Sequence, residues 1–168
     1  MKKITFICIS MILMYTSCSK PGCTDPDASN YDSSAKEMDN SCLYDLEGEW
    51  NLTSFILNGQ ESSSLYSVYR FTFYQDGSYY AEALPASGNN GQGGDWIDVW
   101  GISTLNSEQT TITLQNQLVD YYNGSGTISN SDYANYNISN LDYNNITIEL
   151  ISSSNPSISS LTISMYRD

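Results

Sequence analysis

The side chains able to do chemistry in this 168-residue chain are carboxylates, phenols and four cysteines, because histidine is absent. Without imidazole there is no His-based general acid–base catalysis, no Ser-His-Asp triad and no imidazole metal ligand. Two acids such as Glu82 and Asp98 suffice in principle for glycoside chemistry, but nothing in the sequence places them together. No nucleophile–base pair, phosphate-binding loop or closed metal cluster is visible, so the chain reads as a non-enzymatic protein without a cofactor. Two groupings point to binding instead. Trp96, Asp98 and Trp100 share one strand parity. If that face is inward, a carboxylate between two indoles holds a cationic or hydroxylated ligand by cation–π and hydrogen-bond contacts. The plainer reading packs Trp96 at the base of the domain and twists Asp98 to its rim. Asp25, Asp27, Asn30, Asp32 and Asp39 offer the hard oxygens that Ca²⁺ takes, without the EF-hand spacing, glycine or terminal Glu. Asp and Asn at such density are more often turn formers, so no metal is assigned.

Fourteen tyrosines recur among Ser, Asn and Gly, as in Tyr121-Tyr122-Asn123-Gly124 and Tyr133-Ala134-Asn135-Tyr136. Tyr provides contact area at low entropy cost while Ser and Asn provide hydrogen bonds, which suits either an adaptable binding surface or an ordinary polar sheet. The formal net charge is −13. Such a charge keeps a protein soluble and repels phosphate backbones and anionic lipid surfaces, which excludes a nucleic-acid partner.

Lys2 and Lys3 precede an apolar run, Ile4–Met14, too short to cross a hydrocarbon core of about 30 Å as a helix. With the small residues Thr16 and Ser17 before Cys18, residues 1–17 read as an export signal. Tyr15-Thr16-Ser17-Cys18 resembles the lipobox of bacterial lipoproteins, with Tyr15 where that pattern usually has Leu. The resemblance implies cleavage before Cys18 and acylation of its sulfur and amino group, hence a tether to the outer membrane through residues 18–22. Two or more acyl chains hold a protein stably where one does not. Cys8 leaves with the signal, and Cys23 and Cys42 remain as one pair, which in an oxidising compartment reads as a disulfide.

Residues 23–44 form a second segment. The run from Cys23 to Cys42 (CTDPDASNYDSSAKEMDNSC) resembles a two-cysteine module of secreted and surface proteins in some Gram-negative bacteria, with Asn40 where the module usually has Gly. The resemblance implies a small disulfide-closed spacer, whose loop closure is worth about 3 kcal/mol in the simple chain model.

Beyond residue 45 no helical period appears. Alternating runs rich in Thr, Ile, Tyr and Phe are separated by Asn/Asp/Gly/Ser clusters, the pattern of antiparallel strands. Eight main strands are expected, at 49–57, 69–74, 78–84, 95–102, 110–115, 133–141, 145–151 and 159–167. Trp50, Leu52 and Ile56 share one parity of the first. Asp76-Gly77 supplies a tight hairpin turn, residues 85–94 a loop, and residues 117–130 an ambiguous stretch with a hairpin candidate at Asn123-Gly124. An up-and-down meander either closes into a barrel, which removes its edges, or folds as a sandwich.

Gly48-Glu49-Trp50 at the entry to the first strand resembles the Gly-x-Trp signature of lipocalin-like domains. Phe71–Ser78 resembles that family's aromatic strand and Asp-Gly hairpin, Gly94-Asp95-Trp96 a second Gly-x-Trp, and Ile138–Leu150 its penultimate hairpin. The resemblance spans residues 45–168 and implies an all-β, small eight-stranded antiparallel up-and-down barrel. It also implies that Trp50 is buried at a closed end with Arg167, from the last strand, against it. The resulting expectation is an outer-membrane lipoprotein whose barrel binds a small, partly apolar ligand. The alternative is an envelope interaction protein with a filled barrel and a Tyr-rich docking rim.

The anchor generates its own test. Cys18→Ser is expected to release the protein from membranes or leave an unprocessed precursor, as read by membrane fractionation with acyl labelling. A labelled, membrane-bound mutant would refute lipidation at this residue.

Overall fold

The computed structural model describes residues 19–86, 96–121 and 127–167. Cys18, most of the 85–94 loop and the Asn123-Gly124 turn lie outside them. The chain divides between Cys42 and Leu43 into two compact units.

In the first unit β1 (Pro21–Gly22) and β2 (Glu37–Met38) pair in parallel, and Cys23 is bonded to Cys42. With almost no core to hold it, the segment relies on that bond and on Asx turns. Asp25 Oδ1 accepts from Asp27 N at 3.0 Å and Asp39 Oδ1 from Ser41 N at 3.0 Å. Asp32 accepts from Ser34 N and Oγ and pairs with Lys20 at 2.5 Å. Of the oxygens weighed above as Ca²⁺ ligands, those of Asp25, Asp32 and Asp39 thus serve turns and an ion pair. Among the described residues no three His, Cys, Asp or Glu side chains are grouped to hold a metal.

The second unit is an all-β barrel. Its strands are β3 (Gly48–Leu57), the short β4 (Gln60–Glu61), β5 (Tyr66–Phe73), β6 (Ser78–Pro85), β7 (Ile97–Leu105) and β8 (Thr111–Asp120), then β9 (Thr127–Ser129), β10 (Tyr133–Leu141), β11 (Asn145–Ser153) and β12 (Leu161–Arg167). The order β3-β5-β6-β7-β8-β10-β11-β12 closes because β12 pairs with β3 and β10 with β8. All eight pairings are antiparallel, so the fold is the small up-and-down, lipocalin-like barrel, not a sandwich. β4 and β9 are appendages on β3 and β8. The ambiguous stretch after residue 117 resolves into the last residues of β8 and the returning β9. The turn chemistry is local. Gly77 takes φ +82°, and Asp76 Oδ1 accepts from Ser78 N and Oγ at 2.9 and 2.6 Å.

Period-two parity holds only between bulges. An eight-stranded sheet must coil tightly to close, and inserting one residue in a strand bends it locally. The β3–β12 register slips between Ser164 and Met165, so that Leu52 and Ser54 are consecutive partners and Thr53 is the extra residue. Beyond that point Phe55 and Leu57 face the core, not Ile56 as unbroken alternation from Trp50 predicts. Comparable slips occur at Ser67 in β5 and Gln117 in β8. Gly101, opposite the second of these, has no room for a side chain: a Cβ there would stand 2.3 Å from Gln115 O and 2.5 Å from the Tyr79 ring.

One end of the barrel is packed solid. Trp50 has no exposed surface and donates through Nε1 to Leu46 O at 2.9 Å. Ile146, Ile148, Ile163 and Met165 are buried in the same core. The Arg167 guanidinium lies 4.3 Å from the centre of the Trp50 ring and 5.5 Å from that of Tyr143, and donates to Asp45 O. Burial lowers its pKa from the ordinary arginine value, and cation–π attraction to two ring faces offsets part of that cost. Gln109 completes the closure by accepting from Tyr44 N at 2.8 Å and donating to Tyr44 O at 2.7 Å. Trp50→Ala should therefore cost about 3–5 kcal/mol, as Trp-to-Ala truncations in cores do. Arg167→Ala should cost about 1–2 kcal/mol through the lost stacking. Urea unfolding measures both, and a Trp50→Ala protein as stable as wild type would contradict this account of the closed end.

Candidate functional site

The other end of the barrel is hollow. A cavity of about 330 Å³ lies among the upper halves of the strands, at the low end of the roughly 300–1,000 Å³ range of small-molecule sites. Its wall is aromatic. Tyr66 and Tyr69 stack with centroids 4.9 Å apart and planes 19° apart, and Phe55 meets both edge-on at 5.5 and 5.7 Å. Phe71, Tyr79 and Tyr136 continue the wall. Ala81 and Ala83, alternating inward on β6 after Tyr79, leave the space that larger side chains would fill. Towards the mouth the lining turns polar, with Asn116, Asp132, Ser153, Ser154 and Asn155.

Each ring owes its place to a local device. The extra residue at Ser67 reverses parity, so Tyr66 joins Tyr69, Phe71 and Phe73 on the inner face. Phe55 is held by its own backbone, whose N–H donates to Ser63 Oγ at 2.8 Å. Ser63 in turn is fixed by Glu61, whose carboxylate accepts from Ser63 Oγ, from Ser63 N at 2.9 Å and from Ser54 Oγ at 2.9 Å. The Ser63 bonds, then that from Ser54, hold the Glu61 carboxyl at about 2. Tyr79 sits against Gly101 and donates to Asn116 Oδ1 at 2.6 Å.

The phenols differ in how they are satisfied. Tyr79 has Asn116, whereas the hydroxyls of Tyr66, Tyr69 and Tyr136 make no hydrogen bond to any described residue. Burial raises the pKa of all four. It pushes Tyr136 up to about 12, and for Tyr69 the neighbouring phenols of Tyr136, Tyr66 and Tyr79 add to the rise. All four therefore keep their protons at any ordinary pH.

Trp96, Asp98 and Trp100 lie elsewhere. On β7 the inward parity belongs to Ile97, Val99 and Gly101, so the trio faces outward and lines no part of the cavity. Trp96 precedes β7 at the open end and is 38% exposed, which corrects the reading that packs it at the base. Asp98 is buried against the outer wall, where Tyr80 OH donates to its Oδ1 at 2.8 Å; the Tyr80 ring leans on Trp100 at 5.6 Å. Register also sets Glu82 directly beside Asp98, a juxtaposition the sequence did not reveal. Both carboxylates are engaged, Glu82 with Arg70 and Asp98 with Tyr80, so the pair is part of the wall's own polar network.

Sequence reading assigned no cavity role to Tyr66, Tyr69, Tyr79, Asn116 or Tyr136. The available signal was Tyr79-x-Ala81-x-Ala83, small side chains at inward positions beside an aromatic strand. No family model matches the chain, and comparison with curated proteins finds no relative.

The buried phenols fix how stability depends on alkali. Below about pH 10, the ordinary tyrosine pKa, folded and unfolded chains both hold these protons and the full contribution is present. Above it the unfolded chain binds fewer protons, so stability falls from about pH 10 through about 12 and beyond, where Tyr69 and Tyr79 still resist ionisation. Urea midpoints measured from about pH 8 to 11 should show this decline, and a flat profile would contradict the enclosure of the phenols.

Proposed function

We propose that this protein is a lipid-anchored, non-enzymatic component of the bacterial outer membrane whose barrel binds a small, partly apolar ligand. The observation that carries the reading is the aromatic cavity of about 330 Å³ above a solid core. Close packing is the rule in protein interiors, and an open-mouthed pocket of this size leaves a largely aromatic lining without protein contacts on one side. Seven aromatic rings line the open space, and the hydroxyls of Tyr66, Tyr69 and Tyr136 among them make no hydrogen bond to a described residue, a wall suited to a guest. The alternative of an interaction protein rested on a filled barrel, and the upper half of this one is hollow.

The anchor part rests on the residues before and at Cys18. All 19 acidic residues lie beyond that point against Lys20, Lys36, Arg70 and Arg167. A charge balance of that kind disfavours adsorption to anionic lipid, so a covalent tether supplies the membrane contact that the surface does not.

Native mass spectrometry of full-length protein from its own host, with titration by the apolar fluorophore N-phenylnaphthylamine, tests the binding. A retained small molecule or saturable one-to-one uptake is expected. Ala83→Phe, which places a ring in the cavity, should weaken uptake at least about tenfold, while Trp100→Ala, on the outer wall, should leave it unchanged. Uptake indifferent to Ala83→Phe, or no uptake and no retained molecule, would sink the proposal.

A further inference from the structure

We infer that the cavity selects an uncharged, ring-bearing molecule of about two fused rings that presents a hydrogen-bond-accepting oxygen, a carbonyl or ether, to Tyr66, Tyr69 and Tyr136. This inference rests on the reading of the cavity as a binding site and names the class of guest it takes.

Three observations converge on that class. The first is shape. The stacked pair Tyr66–Tyr69 and the edge-on Phe55 form flat and edge surfaces, against which aromatic or alicyclic rings pack in offset or T-shaped geometry. The volume of about 330 Å³ is ample for a guest of about two fused rings with a small substituent.

The second is hydrogen bonding. Tyr66, Tyr69 and Tyr136 each carry an O–H with no partner among the described residues. Their oxygens border the open space of the cavity, so a pure hydrocarbon filling that space would leave these donors unmade on binding, whereas a guest of the same size that brings an acceptor satisfies them. Because burial raises their pKa values, these groups stay donors across the physiological range.

The third is charge. Among the described residues no cationic side chain lines the cavity. Lys20 belongs to the first unit and is paired with Asp32. Arg70 is held by Glu82 and Glu49 on the outer wall, and Arg167 lies over Trp50 at the closed end. A carboxylate, sulfate or phosphate would enter an apolar chamber with no counter-ion, in a chain of net charge −13, against a large desolvation cost. A cation would gain cation–π attraction from the rings, but its desolvation would be met by no carboxylate deeper than the mouth among the described lining residues. Asp132, the charged residue of that described lining, stands at the polar mouth and accepts from Ser154 Oγ at 3.0 Å.

A set of naphthalenes that share a ring system and differ in one group separates these effects. The probes are naphthalene, acetylnaphthalene, naphthalenesulfonate and naphthylmethyl-trimethylammonium, titrated into the full mature chain by calorimetry or protein-observed NMR. Acetylnaphthalene should bind about tenfold or more tighter than the sulfonate and the ammonium, and measurably tighter than naphthalene. Tyr69→Phe or Tyr136→Phe, which remove one oxygen each, should lower acetylnaphthalene affinity roughly three- to tenfold without weakening naphthalene. Sulfonate or ammonium binding as tightly as the ketone would overturn the inference while leaving the cavity a binding site. Ketone affinity indifferent to both Phe substitutions would overturn it in the same way. If no naphthalene binds at all, the cavity reading itself falls and takes this inference with it.

Discussion

Closure of the sheet between Gly48–Leu57 and Leu161–Arg167 is the constraint from which the other features of the barrel follow. It joins the two ends of the domain's sequence, so Arg167 is set directly opposite Trp50 and its guanidinium over the indole. It removes the free edges that a Thr- and Ile-rich meander would otherwise offer to other chains. It also imposes a small radius on eight strands, and a small radius demands bends. The bulges at Thr53, Ser67 and Gln117 are the local response, each one re-aiming the residues that follow it.

The interior then divides by side-chain size. At the closed end Trp50, Ile146, Ile148, Ile163 and Met165 fill the cross-section and contribute the burial that makes the domain stable. At the open end Ala81 and Ala83 stand where large side chains would be needed, and the rings of Phe55, Tyr66, Tyr69 and Tyr136 line the space without filling it. Stability is concentrated in one half so that the other can remain hollow. The packing contacts that the open half forgoes are a local cost that the solid half offsets.

The charge distribution follows the same inside–outside division. Acidic groups gather on the outer surface, where Arg70, Glu82, Asp98 and Asp120 form one cross-strand row over β5 to β8. Tyr80 and Arg70 satisfy that row from within the wall, and Thr127 donates to Asp120 at 3.1 Å. Among the described residues the cavity lining carries Asp132 as its charged group, and that at the mouth. The barrel is thus negative outside and mostly neutral along its described inner wall.

The sequence by itself determined the all-β class, the number and approximate bounds of the strands, the Asp76-Gly77 turn and the burial of Trp50. The first three rest on local rules, side-chain alternation and turn chemistry; the burial of Trp50 was implied by the resemblance of Gly48-Glu49-Trp50 to a lipocalin-like strand entry. The Cys23–Cys42 pairing came from counting thiols. Which side chains face the cavity was decided by tertiary structure alone. Parity predicts a face only while every residue pairs, and one bulge inverts everything beyond it. That inversion is why Phe55 replaced Ile56 in the core and why Tyr66 joined the inner wall. For Trp96, Asp98 and Trp100 parity correctly grouped the three, but no local rule says which parity is the inner one. Val99 and Gly101 take that side because only a glycine fits beneath Tyr79 where β7 meets the bulge in β8. The contact that settles the orientation joins residues on three strands and exists only once the barrel has closed.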